Sequence, residues 1–253
     1  MANYLITGTS RGLGLELVSQ LLSRPASSVN LIFATTRSDP TPALQKLIDT
    51  SSGRLVNIQF DPVEITSVQA ALPSIEKHLN CAGLDVLINN VGVMPYSPGG
   101  TSGATDLTST FNANVLTAHN VTSTLLPLLE RGKTKKIVNI GTTLGSMGMA
   151  ERYAMFPVPG YKISKAALNM LTLQYALELG PKGYLVFGIA PGWVKTDLGS
   201  DQADLTVDVA VKAVLAKIDT VDQDGNGKLH VVLVKGWEKA PGLNQYDGSV
   251  APW

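Results

Sequence analysis

Tyr4-Leu5-Ile6-Thr7-Gly8-Thr9-Ser10-Arg11-Gly12-Leu13-Gly14 is the stretch on which the fold turns. Its first three residues read as a strand. Three glycines follow in the pattern Gly-x3-Gly-x-Gly, and a helical periodicity over residues 12–22 opens on the last two. In such a junction Gly8 permits a tight turn, Gly12 lets backbone approach a phosphate, and Gly14 lets helix pack on sheet. The helix start then offers unpaired N–H groups to an anion, with Ser10 and Leu13 inside the same turn. Alone the pattern is weak evidence, because any tight strand-to-helix turn uses similar residues; its position after the first strand of an alternating chain gives it weight.

Outward from that turn, short apolar runs alternate with helical patterns. Strands are expected over residues 29–35, 55–60, 84–88, 136–140, 184–190 and 228–234. Helices are expected over 42–50, 66–79, 105–129, 161–179 and 206–217. Runs such as Val86-Leu87-Ile88 and Val231-Val232-Leu233-Val234 are apolar at every position, as in strands covered on both faces. The pattern predicts one Rossmann-type, doubly wound α/β domain over residues 1–253, with a seven-stranded, mostly parallel sheet and helices on both faces. Ligands of such sheets bind outside the carboxyl ends of the strands, so residues that directly follow strands carry the information.

Composition narrows the class. The 253 residues include 20 Lys+Arg and 20 Asp+Glu, a formal net charge of zero, which removes the electrostatic footprint of a nucleic-acid binder. Cys81 is the only cysteine, so neither an internal disulfide nor a cysteine-based zinc site is available. The start of the chain lacks the basic and apolar regions of a signal peptide, and no run approaches the ~18 apolar residues of a membrane span. A cytoplasmic protein is the expectation. Asp222 to Gly227 resembles the start of a calcium loop, but the position needing a bidentate glutamate is Leu233, and the three histidines show no ligand spacing, so no metal is expected.

Two arginines bear on nucleotide choice. Arg11 lies in the glycine turn and Arg37 follows the second strand, where an acidic residue would hold a ribose 2′-OH and an arginine would pair with a 2′-phosphate. This favours NADP(H) over NAD(H); Asp39, two residues on, is the counter-candidate for NAD(H).

Tyr161 and Lys165 are four apart at the start of a helix and so share one face. A phenol of pKa ≈ 10 is a poor proton donor near neutrality, and a neighbouring ammonium would lower that value. Thr142, after the fifth strand, offers a hydroxyl to a polarised carbonyl oxygen. Asn114, on an otherwise apolar helix, is either a satisfied core amide or the holder of a water joining Lys165 to solvent.

Thr7 to Gly14, Asn89-Asn90-Val91-Gly92, Asn114, Thr142, Tyr161 with Lys165, and Pro191-Gly192-Trp193-Val194-Lys195-Thr196-Asp197 occur in the order and spacing of the short-chain dehydrogenase/reductases. The chain resembles that family over roughly residues 3–235, and within it the fungal branch similar to norsolorinic acid ketoreductase and the C-factor/sniffer-like carbonyl reductases. The resemblance implies Tyr161 as proton donor to a substrate carbonyl, Lys165 lowering its pKa and holding the nicotinamide ribose, and Asn114 holding a relay water. It further implies Asp61 on the adenine, Asn90, Val91 and Gly92 along the adenosine side, and Pro191, Gly192, Val194 and Thr196 at the nicotinamide end. Two positions depart from the family pattern. Val91 replaces an alanine, and Thr142 replaces the family's serine beside Gly141. Thr143 is an alternative source of the hydroxyl.

Met94, Tyr96, Thr143, Met149, Phe156 and Trp193 follow strands four to six and would line an apolar, adaptable pocket, or else simply pack a lid. The expected substrate is a hydrophobic ketone or aldehyde, aromatic or polyketide-like, with fungal secondary metabolism implied by resemblance alone. The competing expectation is a non-redox protein on the same scaffold, a cyclase, isomerase or cofactor-sensing binder, motivated by the altered Gly141-Thr142 position. The resemblance also implies a homodimer or homotetramer, with residues 236–253 packing on the substrate side or at an interface, and neither nucleic acid nor membrane as partner.

Overall fold

The computed structural model describes residues 1–253. β1 (Ala2–Ile6), α1 (Gly12–Ser23), β2 (Val29–Thr36), α2 (Pro42–Thr50), β3 (Leu55–Gln59), α3 (Ile65–Leu79) and β4 (Val86–Asn89) alternate as the sequence pattern requires. After them come α4 (Leu107–Phe111), a π-helical turn (Asn112–Leu116), α5 (Thr117–Glu130), β5 (Lys136–Ile140), α6 (Pro159–Leu179), β6 (Leu185–Ala190), α7 (Val207–Thr220), β7 (Leu229–Val231) and β8 (Val250–Ala251). The sheet has eight strands in the order β3-β2-β1-β4-β5-β6-β7-β8. The observed pairings of β1 with β2 and β4, of β2 with β3, and of β6 with β7 are parallel; β8 is antiparallel to β7. The expected seven strands are thus corrected to eight, because the two-residue β8 is too short to leave an alternating pattern. The order reverses direction between β1 and β4, which is the switch point where such sheets bind ligands.

The expected helix over residues 105–129 is also corrected. It is interrupted by the π turn at Asn112–Leu116, one residue wider per turn than an α-helix. Such turns concentrate at functional positions, and Asn114 sits in this one. β7 is shorter than the expected 228–234; Val232 and Val234 continue the direction through single bonds to Ala190 O and Tyr246 O.

By packing, the chain falls into two compact units, Met1–Asn90 with Thr117–Val138, and Val91–Leu116 with Asn139–Trp253. In the first, Leu5, Ile6, Ile32, Phe33, Leu87 and Ile88 are sealed from solvent beneath Leu17, Leu21 and Ile75. Burying each such side chain contributes roughly 1.5–3 kcal/mol. Asp85 accepts from Asn3 N and Lys133 N, both at 2.8 Å, and so ties β1 to the approach of β5. In the second, Val186, Phe187 and Ile189 of β6 are buried, as are Leu168 of α6 and Val211 and Val214 of α7.

Candidate active site

In the first unit the glycine turn is braced rather than merely loose. Gly8 and Gly12 adopt φ of 69° and 57°, the left-handed region that a side chain disfavours. A Cβ on Gly14 would lie 2.1 Å from Gly8 O, so only glycine lets α1 start this close to the turn. Asn90 donates through Nδ2 to Thr7 O (3.0 Å) and Gly8 O (3.1 Å), and its N–H donates to Thr7 Oγ1 (2.9 Å). Its amide hydrogens are therefore given to the turn, and Asn90 shapes the loop. The first turn of α1 has no side-chain cap and no acidic residue, leaving its amides for an anion.

Thr9, fully buried, donates N–H and Oγ1 to Thr35 O at 3.2 and 3.0 Å, and Thr41 Oγ1 donates to Ser10 O at 3.0 Å. These bonds bring the turn carrying Arg11 against the β2–α2 connection carrying Arg37. Both arginines are exposed, as is Asp39. Asp61 accepts from Val63 N through Oδ1 (3.0 Å), which fixes the carboxylate at the end of β3.

The second unit assembles the other set. Pro159 occupies the first turn of α6, where its missing N–H costs nothing and its fixed φ suits the helix. Tyr161 and Lys165 follow one turn apart, 8% and 4% exposed, with Lys165 Nζ 5.8 Å from the centre of the Tyr161 ring. Lys165 Nζ donates to Ile140 O at 2.7 Å, which anchors the ammonium to the end of β5. Gly145 lets the segment after β5 approach this helix, since a Cβ there would lie 2.7 Å from the Lys165 backbone, and Asn169 Nδ2 donates to Gly145 O at 3.1 Å.

The Thr142 side chain hydrogen-bonds Tyr161. Thr143 Oγ1 instead donates to the hydroxyl of the buried Tyr153 at 3.1 Å. Thr142, rather than Thr143, therefore lies beside the Tyr161 hydroxyl.

Burial pushes the Tyr161 phenol up to about 12, with the Thr142 hydroxyl opposing. Burial also pushes Lys165 down to about 8. Desolvation of the phenolate outweighs the Thr142 hydroxyl, and burial acts on the ammonium in the sense that favours its neutral form. At neutral pH the pair is a phenol beside a mostly protonated amine.

Asn114 is 1% exposed. Its Oδ1 accepts from Val93 N (2.7 Å), and its Nδ2 donates to Val93 O and Ser164 Oγ, both at 2.9 Å. Both amide hydrogens are committed within the protein, and the side chain pairs with the Val93 peptide as a neighbouring strand would. Ser164 Oγ donates to Tyr161 O at 2.8 Å, closing a chain Val93–Asn114–Ser164–Tyr161. Neither Tyr153 nor a bonding role for Ser164 was expected from the sequence. Ser164 is three residues from Tyr161 on the inward face of α6, the one signal that pointed to it. Gly92 abuts the same centre, for a Cβ there would lie 3.3 Å from Asn114 Oδ1 and 3.5 Å from Lys165 Nζ.

Of the residues expected beyond β6, Pro191 and Val194 are buried, and Gly192 and Trp193 half-buried. Thr196 Oγ1 donates to Val194 O (3.3 Å) and accepts from Gly199 N (3.1 Å), so its hydroxyl stabilises its own turn. Of the expected pocket residues, Met94, Thr143, Met149 and Phe156 are half-buried and Tyr96 is exposed; Met147 and Met155 nearby are 70% and 64% exposed.

The short chain dehydrogenase family pattern matches residues 2–206. The short-chain dehydrogenase/reductase atnB of an Arthrinium species is 33% identical over 217 residues, 80% of this chain and 78% of that protein. Norsolorinic acid ketoreductase of Aspergillus parasiticus is 27% identical over 260 residues, covering 99% and 90%. The NADPH-bound carbonyl reductase from chicken fatty liver superposes with a TM-score of 0.85 at 27% identity, over 100% of this chain and 94% of that one.

Proposed function

The chain belongs to the short chain dehydrogenase family, and from that premise we propose that it is an NADP(H)-dependent reductase of hydrophobic ketones and aldehydes, with Tyr161 as the proton donor. The observation that carries this reading is the buried Tyr161–Lys165 pair with the half-buried Thr142 beside it, held at the end of β5 and the start of α6.

The residues of the first unit fit a phosphorylated dinucleotide. The uncapped amides of α1 and the glycines suit a pyrophosphate, Arg11 and Arg37 a 2′-phosphate, and Asp61 an adenine amine. In the second unit Pro191, Gly192, Val194 and Thr196 are proposed for the nicotinamide end, and Val91 and Gly92 for the adenosine side. When bound, the nicotinamide supplies the hydride.

The protein's own task is then a single proton. The Tyr161 hydroxyl donates to the substrate carbonyl oxygen as negative charge develops there, and Thr142 orients that oxygen. A phenol pushed up to about 12 is fully protonated at neutral pH. The phenolate left behind is stabilised by the Lys165 ammonium and the Thr142 hydroxyl, in a site where low polarity strengthens both contacts. Lys165 therefore acts on the developing phenolate, not on the resting phenol. The Thr142 hydroxyl beside Tyr161 supports the reductase reading over a non-redox one, because the residue at the family's serine position still offers a hydroxyl there.

Apolar surface on the segments after β4 and β5, with Tyr96, Met147 and Met155 exposed, supports a hydrophobic substrate. A second copy is proposed along α4 and α6. Ile163, Met170 and Leu177 are exposed at seven-residue spacing, and Ile163 joins Leu107 and Phe111 in lining a groove of ≈ 280 Å³. Light scattering on wild type and Met170→Asp tests this, with a monomeric wild type as the refuting result.

The reductase reading is tested by following NADPH consumption with a panel of aromatic and aliphatic ketones and aldehydes. Carbonyl-dependent consumption is expected; a protein that binds NADPH and oxidises it with no carbonyl refutes the reading.

A further inference from the structure

Between β6 and α7 the chain closes on itself. Leu205 N donates to Trp193 O (3.0 Å), Lys195 N donates to Leu205 O (2.8 Å), and Trp193 Nε1 donates to Gly199 O (2.5 Å). What sets the position of this loop is a side chain from the end of the chain. Tyr246, 3% exposed, accepts from Trp193 N at 3.0 Å and donates its hydroxyl to Asp204 Oδ2 at 2.5 Å. Asn244 Nδ2 donates to the same oxygen at 2.8 Å.

The Tyr246 ring also lies against Gly192. That residue has φ of 92°, and a Cβ on it would be 2.9 Å from Tyr246 Cε1. Ring and hydroxyl together therefore fix the Gly192–Trp193 peptide from the side, and Asp204 ties the far end of the loop to the same hydroxyl. Trp237 backs the ring at a centroid distance of 5.5 Å. The neighbouring tail residues grip the segment after β5 as well. Arg152 donates to Gln245 Oε1 at 2.5 Å, Gly148 N donates to Trp253 O at 3.0 Å, and Ser146 Oγ donates to Pro252 O.

We propose that Tyr246 and Asp204 are positioning residues: they hold the Pro191–Asp204 loop in its ordered form before any ligand arrives, so that loop ordering is not part of substrate binding. The consequence for the reaction rests on the reductase reading above; the ordering itself does not. A loop that must be ordered on binding weakens affinity by the share of time it spends disordered, whereas a pre-ordered one does not.

The test uses Tyr246→Phe, which keeps the ring against Gly192 and removes only the hydroxyl, alongside Asp204→Ala and the double variant. Lys195 is exposed within the loop and is the trypsin site to follow. Tyr246→Phe is expected to speed cleavage after Lys195 by at least about tenfold, the weight of one hydrogen bond to a carboxylate, without speeding cleavage after the exposed Lys46. The KM for a carbonyl substrate should rise by a similar factor with kcat within twofold, and the double variant should be no worse than the worse single one. A merely structural role would lower Tm, speed cleavage at both lysines and leave KM unmoved. That result, or wild-type cleavage at Lys195, overturns the proposal. If no carbonyl consumes NADPH in the wild type, the reductase reading fails, and the proteolysis still decides whether Tyr246 orders the loop.

Discussion

Replacing Lys165 by methionine should abolish turnover while leaving the fold as stable as before, or more so. A buried ammonium whose pKa falls from 10.5 to about 8 destabilises the folded state in its charged form. At roughly 1.4 kcal/mol per tenfold change, that is on the order of 3 kcal/mol at neutral pH. Methionine has similar length and no charge, so the penalty disappears. Against it stands Ile140 O, which loses its 2.7 Å donor, a loss of about 1–3 kcal/mol for a buried acceptor. The two nearly cancel, and pH separates them.

Lys165 is depressed on folding, so between pH 8 and 10.5 the unfolded chain holds the proton that the folded chain has released, and stability rises with pH through that window. From pH 7 to about 9.5 the contribution is on the order of 2 kcal/mol. Tyr161, raised to about 12, acts in the opposite sense but only above pH 10, where the unfolded phenol ionises first. Urea unfolding of wild type and Lys165→Met at pH 7 and 9.5 isolates the lysine, because every other group is common to both proteins. The wild type should gain about 2 kcal/mol more than the variant over that interval. Equal pH dependence in the two proteins would refute the buried-ammonium argument.

Three further outcomes follow from the same geometry. Thr142→Val removes the hydroxyl that meets Tyr161 and should lower kcat by about 10²-fold, whereas Thr142→Ser should restore most of it; steady-state kinetics at saturating NADPH decide. Arg37→Ala should weaken NADPH binding by roughly tenfold and leave NADH binding unchanged, as read by fluorescence titration, and equal losses for both would remove Arg37 from the 2′-phosphate. Reduction by the wild type should decline above an apparent pKa near 8 as the Lys165 ammonium that steadies the developing phenolate loses its proton, a limb that a pH profile of kcat/KM displays.

Much of this architecture was legible because local chemistry and global fold agree. The glycine turn, the apolar strands and the four-residue spacing of Tyr161 and Lys165 are short-range signals, and each lies where the sheet order places it. The pieces that escaped were of two kinds. The π turn at Asn112–Leu116 adds one residue to a helical repeat, and a periodicity of 3.6 read over 25 residues absorbs that without trace. The Asn114–Ser164, Thr143–Tyr153 and Tyr246–Asp204 bonds join residues 50, 10 and 42 positions apart, where no spacing rule applies. The same limit applies to Asn90 and Asn114. A sequence shows that an amide is present near the site, but only the structure shows that its hydrogens are already given to Gly8 O or Val93 O.

The account stands on Tyr161 as the proton donor. The most direct test is single-turnover reduction of a carbonyl substrate by Tyr161→Phe with NADPH bound at saturation, beside a titration of NADPH affinity. The account predicts hydride transfer slowed by at least about 10³-fold with NADPH affinity within threefold of wild type. Transfer at the wild-type rate by the phenylalanine variant would contradict it.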